Sequence, residues 1–165
     1  MFGLLFGRLI LIITLIFFVF SSFAQNLFGD KVLNSLPRSE SKEIYYEKDG
    51  WHDYTDYVKY YYGDVTVDDL NDSGYFHEVT VDDVENLKSY YSDFYGCWVA
   101  TYHVFDEYFD KFDFNIDQIE AGDYFYIDTL EGQPIGDRYY LKLENYTVYY
   151  FDLDSQTLYY LHNNI

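Results

Sequence analysis

One cysteine, two prolines and one methionine are all that 165 residues hold of those types. With Cys97 alone, no internal disulfide can form, and whatever folds here is held by packing. Cationic residues are scarce as well. Ten Lys and Arg face 29 Asp and Glu, for a formal charge of −19 at pH 7. A chain this acidic repels phosphate backbones, because nucleic-acid binding rests on Lys and Arg neutralising them. Anionic membrane surfaces are disfavoured for the same reason. Basic proteins, divalent cations and neutral carbohydrate remain open as partners, although charge of this sign serves solubility first. Catalytic signatures are missing too: no Gly-x-Ser-x-Gly, phosphate loop, dinucleotide fingerprint or paired-histidine zinc helix is present. No cofactor is implied.

What is abundant is aromatic. Phe, Trp and Tyr make up 24% of the chain, with 22 tyrosines. Acidic disordered chains lack aromatics, so this composition predicts a folded domain. Part of the Tyr, Phe, Ile, Asn and Asp bias can arise from nucleotide composition alone.

The N-terminus reads as an export signal. Arg8 precedes an apolar run over 9–20, broken only by Thr14. Ser22 and Ala24 then place small residues three and one positions before Gln25, as signal peptidase requires. An uncleaved anchor is the alternative, but a bilayer span takes about 20 apolar residues and no basic cluster follows. The expectation is a signal peptide over 1–24, a flexible tether over 25–43 and one acidic domain over 44–165. Its destination would be secreted, periplasmic or cell-surface, without stable membrane insertion.

Trp51, Tyr54, Val58 and Tyr61 sit at helical spacing, with Asp49 as N-cap and Gly63 as stop, which predicts a helix over 50–62. Val-Thr-Val-Asp-Asp occurs at 65–69 and again at 79–83. Each copy offers Thr three residues before Asp, an acidic capping box. The second opens a helix with Val84, Leu87, Tyr91 and Phe94 as its apolar stripe. Beyond Gly96 the stripe resumes at Trp98, Tyr102, Phe105, Phe109 and Phe112. That leaves a helix kinked at Gly96, two helices meeting there, or a strand over 98–105. Asn115 with Gln118 caps a last turn before Gly122.

After Gly122 the period changes to two, and Tyr-Tyr doublets recur every ten residues at 139, 149 and 159. A ten-residue repeat is a short strand plus its turn, with turns near 144–145 and 154–156. A first hairpin would pair Leu143 with Tyr146 and Tyr140 with Tyr149. Tyr139, Leu141, Leu143, Tyr146, Val148 and Tyr150 then form a core face. Tyr140, Lys142, Thr147, Tyr149 and Phe151 form the outer one. The predicted class is α+β: two to three N-terminal helices packed on a C-terminal antiparallel meander.

The outer face supplies the candidate binding residues. Adjacent tyrosines in a strand put one ring on each side. Tyr124, Tyr126, Tyr140, Tyr149 and Phe151 would thus make a surface aromatic patch of the kind that marks interaction sites. Cross-strand pairing that merely stabilises the sheet is the competing reading. Other clusters are weaker. His103, Glu107 and Asp110 share a helical face but lack a third strong metal ligand. Asp69, Asn71, Ser73 and Gly74 mimic half a calcium loop whose twelfth position is Thr80, and Asp113, Asn115 and Asp117 repeat the spacing without glycine. Cys97 reads as a packed thiol, and His162 as an edge residue. Asn71 and Asn145 open glycan-acceptor triplets that matter only on a eukaryotic secretory route. With 29 acids, carboxylate pairs arise at any separation and none stands out. The function expected is a non-catalytic binding module using the aromatic face. An acidic inhibitor of a basic enzyme or toxin, and a carboxylate-pair hydrolase of extracellular polymers, are the alternatives.

Overall fold

The computed structural model describes residues 29–46, 54–102, 112–129 and 145–164. They divide into two units between Pro37 and Arg38. Of the first unit, one 3-10 turn, Leu33–Ser35, is described. Asp30 Oδ1 accepts hydrogen bonds from the N–H groups of Val32 (2.9 Å) and Leu33 (3.1 Å), which the turn leaves open.

The second unit is built on six strands: β1 (Ser41–Tyr46), β2 (Tyr54–Tyr61), β3 (His77–Glu78), β4 (Tyr124–Thr129), β5 (Asn145–Asp152) and β6 (Thr157–Asn164). They form one sheet in the order β1-β2-β6-β5-β4-β3, and every neighbouring pair is antiparallel. Two α-helices accompany it, α1 (Val67–Asp72) and α2 (Val81–Tyr102). The expected architecture of two to three helices on a C-terminal meander is therefore corrected. Among the described residues the protein is mainly a six-stranded antiparallel sheet with one helix of substance.

The expected helix over 50–62 is where the reading failed. Residues 54–61 are strand β2, paired with β1 on one side and along its whole length with β6 on the other. Tyr57 and Val58 point to opposite faces of the sheet and both are buried. A strand apolar on both faces satisfies helical spacing by accident, and its Tyr, Thr and Val content favours extended backbone. β1 likewise begins at Ser41, inside the stretch read as a tether.

Both Val-Thr-Val-Asp-Asp copies open helices. At α1 the Thr66 hydroxyl accepts from Asp69 N–H at 3.2 Å, and Asp69 Oδ2 accepts from Thr66 N–H at 2.9 Å. At α2, Asp83 Oδ2 accepts from Thr80 N–H at 2.9 Å. α2 passes through Gly96 as continuous helix to Tyr102, which settles 97–102 as helix. Residues 103–111 lie outside those described. Asn115 caps the 3-10 turn Ile116–Gln118, and Gly122 takes the positive φ (102°) that L side chains avoid.

α2 lies on one face of the sheet, where Leu87, Tyr90, Tyr91 and Phe94 meet Tyr57, Phe125, Ile127, Tyr146, Val148, Tyr150 and Leu161. Tyr91 stacks on Phe114 with centroids 4.1 Å apart, and Tyr150 meets Tyr91 edge-on at 6.1 Å. Each large apolar side chain so buried contributes about 1.5–3 kcal/mol before ordering costs. The expected core parity of Tyr146, Val148 and Tyr150 agrees with this face. The expected hairpin partners do not. Tyr146 and Tyr149 pair with Thr129 and Tyr126 of β4, not with Leu143 and Tyr140. β6 occupies the other edge of β5, so both edges are filled. Residues 130–144, including Tyr139 and Tyr140, lie outside those described.

Candidate functional site: the outer face of the sheet

Strand alternation places Tyr124, Tyr126, Tyr149 and Phe151 on the side away from α2, as expected. That side is not open throughout. Tyr124, Tyr149 and Phe151 are only 4%, 3% and 0% exposed, so these three rings are packed and not displayed. One cause is the crossover over 62–76, which carries α1. Tyr62 lies 5.5 Å from the Phe151 ring, and Tyr75 lies 5.3 Å from Tyr126. The crossover is fastened by Gln156 in the β5–β6 turn. Its Oε1 accepts from Val65 N–H at 2.7 Å and its Nε2 donates to Val65 O at 3.2 Å, an amide acting like one more strand residue.

What remains at the surface is a row of half-buried tyrosines, Tyr60, Tyr75, Tyr126 and Tyr160, joined through the buried Tyr149. Tyr126, Tyr149 and Tyr160 are direct cross-strand partners on β4, β5 and β6, with centroids 5.9 and 5.4 Å apart. Tyr75 extends the row beyond β4. Tyr60 of β2 extends it diagonally beyond β6 at 6.5 Å, and the Lys42 ammonium of β1 stands 5.9 Å from the Tyr60 centroid. Successive rings are mostly edge-on: Tyr149–Tyr160 at 76°, Tyr60–Tyr160 at 79° and Tyr75–Tyr126 at 66°. Such pairs each add about 0.5–1.5 kcal/mol beyond area burial, so the row also stiffens the sheet.

Two residues along each strand runs a polar row, Asp128, Thr147, His162 and Asp56, again partner to partner. The Thr147 hydroxyl and His162 Nδ1 are 2.8 Å apart. Asp128 is exposed, whereas Asp56 is buried at the far end. The sequence reading included Tyr126 and Tyr149 in its patch but missed Tyr60, Tyr75, Tyr160 and Asp56. Tyr160 was legible, since the doublet at 159–160 repeats that at 149–150. Tyr60 and Asp56 were hidden by the helical reading of β2.

On the α2 side a second cluster surrounds Lys59, which is 8% exposed. Its ammonium binds Asp113 Oδ2 at 2.5 Å and lies 4.7 Å from the Tyr45 centroid and 5.8 Å from that of Tyr159. Tyr57 donates to Asp113 Oδ1 at 3.0 Å. Glu43 Oε2 accepts from Tyr61 (2.6 Å) and Tyr45 (2.8 Å), and those two bonds hold its carboxyl below the usual range. Burial, then the Glu43 bond, raises Tyr45 to about 12. Lys59, Tyr57 and Asp113 are thus bonded among themselves, as are Glu43, Tyr45 and Tyr61, which is the arrangement of a structural tie between the 112–114 segment and β2.

Among the described residues no group of three His, Cys, Asp or Glu side chains could hold a metal ion. Asp69 is engaged in the α1 capping box, Asp113 by Lys59, and Asn115 by the N–H of Asp117. His103, Glu107 and Asp110 lie outside the described residues. Compared with protein families, curated proteins and solved structures, the chain matches none.

Proposed function

We propose that the chain is a non-catalytic binding module whose outer-face tyrosine row takes up lysine and arginine side chains of a basic protein. The observation that carries this reading is Lys42 seated 5.9 Å from the Tyr60 centroid at one end of the row. An ammonium already uses one of these rings as a cation–π partner. Two further features support it. Asp128 lies two residues from Tyr126 on the same face of β4, roughly 7 Å along the strand, within reach of a cation on that ring. The net charge of −19 draws cationic partners from a distance. Neutral carbohydrate is less well served, because edge-on rings offer no flat platform for successive sugar rings. Hydrolysis by a carboxylate pair has no comparable support, since Glu43, Asp113 and Asp123 are each held in internal hydrogen bonds. With the export signal read in residues 1–24, the partner would be met outside the cytoplasm. If that partner is a basic enzyme or toxin, the module is its inhibitor.

The experiment is titration of the full chain with a Lys/Arg-rich peptide at low and high salt. Tyr126→Ser and Tyr160→Ser are each expected to weaken binding, with near-UV circular dichroism reporting an intact fold. A cation–π contact is worth about 0.5–2 kcal/mol, so each loss is about two- to thirty-fold. Asp82→Asn, on α2, removes one negative charge away from the outer face, whereas the tyrosine variants leave the charge unchanged, and it serves as the control for charge alone. Loss no greater for the tyrosine variants than for the control means that charge alone is at work and the site is elsewhere.

A further inference from the structure

Asp123 stands just before β4 and is 5% exposed. Its main chain is fixed, the carbonyl accepting from Val79 N–H at 2.7 Å. Oδ1 accepts from Leu153 N–H at 3.0 Å, in the β5–β6 turn. Oδ2 meets the Tyr150 hydroxyl in a short contact. That same hydroxyl lies 3.0 Å from the main-chain oxygen of Gln118. A phenol has one proton to give, and here it faces two acceptors. With Asp123 ionised, one of the two contacts must go without a hydrogen. With Asp123 protonated at Oδ2, the acid donates to Tyr150, Tyr150 donates to Gln118 O, and Oδ1 still accepts from Leu153. Every contact is then a hydrogen bond.

We propose that Asp123, Tyr150 and Gln118 form a proton-loaded latch that binds the 116–118 turn, β4, β5 and the β5–β6 turn more tightly in acid than at neutral pH. The charged groups around Asp123 favour the loaded state. Asp152 of β5 and Glu120 of the preceding turn are both acidic, and they add to the burial that pushes the Asp123 carboxyl up. The bonds from Tyr150 and Leu153 oppose this shift without reversing it. Burial and the Asp123 contact also raise the Tyr150 phenol well beyond its usual range, and the nearby Tyr91 adds to that. No cation offsets them from α2, whose one lysine, Lys88, is directed to Glu85 (3.9 Å) and Asp117 (3.8 Å). For an acid raised in the folded state, the sign is definite. The folded chain binds more protons than the unfolded one above the ordinary carboxyl range, so the latch weakens as pH rises through the folded pKa.

Carboxyl-carbon NMR of the full chain reads the Asp123 titration directly and needs no variant. Asp123→Asn supplies the second readout. Its Oδ1 can accept from Leu153 and its Nδ2 donate to Tyr150, so it copies the loaded state at every pH. Asp64→Asn, at an exposed acid, reports the general gain from removing one negative charge. The expected result is an Asp123 titration above the ordinary carboxyl range. The urea midpoint of Asp123→Asn should exceed that of wild type at neutral pH by more than Asp64→Asn does, and the difference should close in acid. A titration at or below the ordinary range, or an Asp123→Asn midpoint below wild type at neutral pH, overturns the latch.

Discussion

Gln156 offers the sharpest test of how the outer face is covered. It sits in the β5–β6 turn with φ of 53°, a left-handed backbone that costs a non-glycine residue about 1–2 kcal/mol. The cost is borne because its amide grips the crossover: Val65 N–H at 2.7 Å, Val65 O at 3.2 Å and Leu153 O at 3.0 Å. Gln156→Ala keeps the backbone strain and removes all three bonds. Val65 is 4% exposed, so its N–H loses its partner in a site closed to water, at about 1–3 kcal/mol. With the two lost donations, the total comes to about 2–4 kcal/mol. Gln156→Gly loses the same bonds but relieves the strain, and should recover about 1 kcal/mol of the damage. Urea unfolding followed by far-UV circular dichroism reads both, with Gln156→Ala shifting the midpoint by roughly 1–2 M. An alanine variant as stable as wild type, or a glycine variant weaker than alanine, refutes the reasoning.

Three further outcomes are expected. Thr66→Ala loses the hydroxyl half of the α1 capping box and Thr80→Ala loses the Thr80 hydroxyl's bond to Asp83 Oδ2 (2.5 Å), and each should cost about 1 kcal/mol in urea unfolding, additively because the two helices have separate N-termini. Lys59→Met leaves Asp113 with only the Tyr57 bond, and because the Asp113 side chain is 48% exposed the cost should stay near 1–2 kcal/mol by the same assay. Tyr45, Tyr57, Tyr61, Tyr91 and Tyr150 all have phenol pKa values raised above normal, with burial as the leading cause. Their unfolded counterparts ionise near pH 10, so stability should be fully present below that and fall as pH rises beyond it. Absorbance of tyrosinate in an alkaline titration should show a late class released only on unfolding.

How much of this was written locally differs from element to element. The helix α2 was legible because Thr80, Asp83, Val84, Leu87, Tyr91 and Phe94 state a cap and a stripe within a few turns. The pairing of β5 with β6 was legible because a ten-residue repeat fixes one hairpin. β2 was not, since its partners are β1 and β6, and the second lies about a hundred residues away in sequence. Its Tyr57 and Val58 look like a helix until they are seen buried on opposite faces of a strand. β4 was hidden as the neighbour of β5 because residues 130–144 intervene and the doublet at 139–140 offered a nearer partner, so a local hairpin was assumed in its place. The site suffered accordingly. Strand parity put Tyr126 and Tyr149 on the outer face correctly, but nothing near Tyr149 or Phe151 in the chain announces that neighbouring rings and residues 62–76 bury them. Exposure is a tertiary property, and the one residue that foretells the covering, Gln156, reads as an ordinary turn.

The most direct test of the proposed role is an NMR map of the tyrosine rings during titration with a Lys/Arg-rich peptide. Ring shifts concentrated at Tyr60, Tyr126 and Tyr160, with Tyr45 and Tyr57 on the opposite face unmoved, are the result predicted. Shifts spread evenly over the acidic surface, or confined to the α2 side, would contradict it.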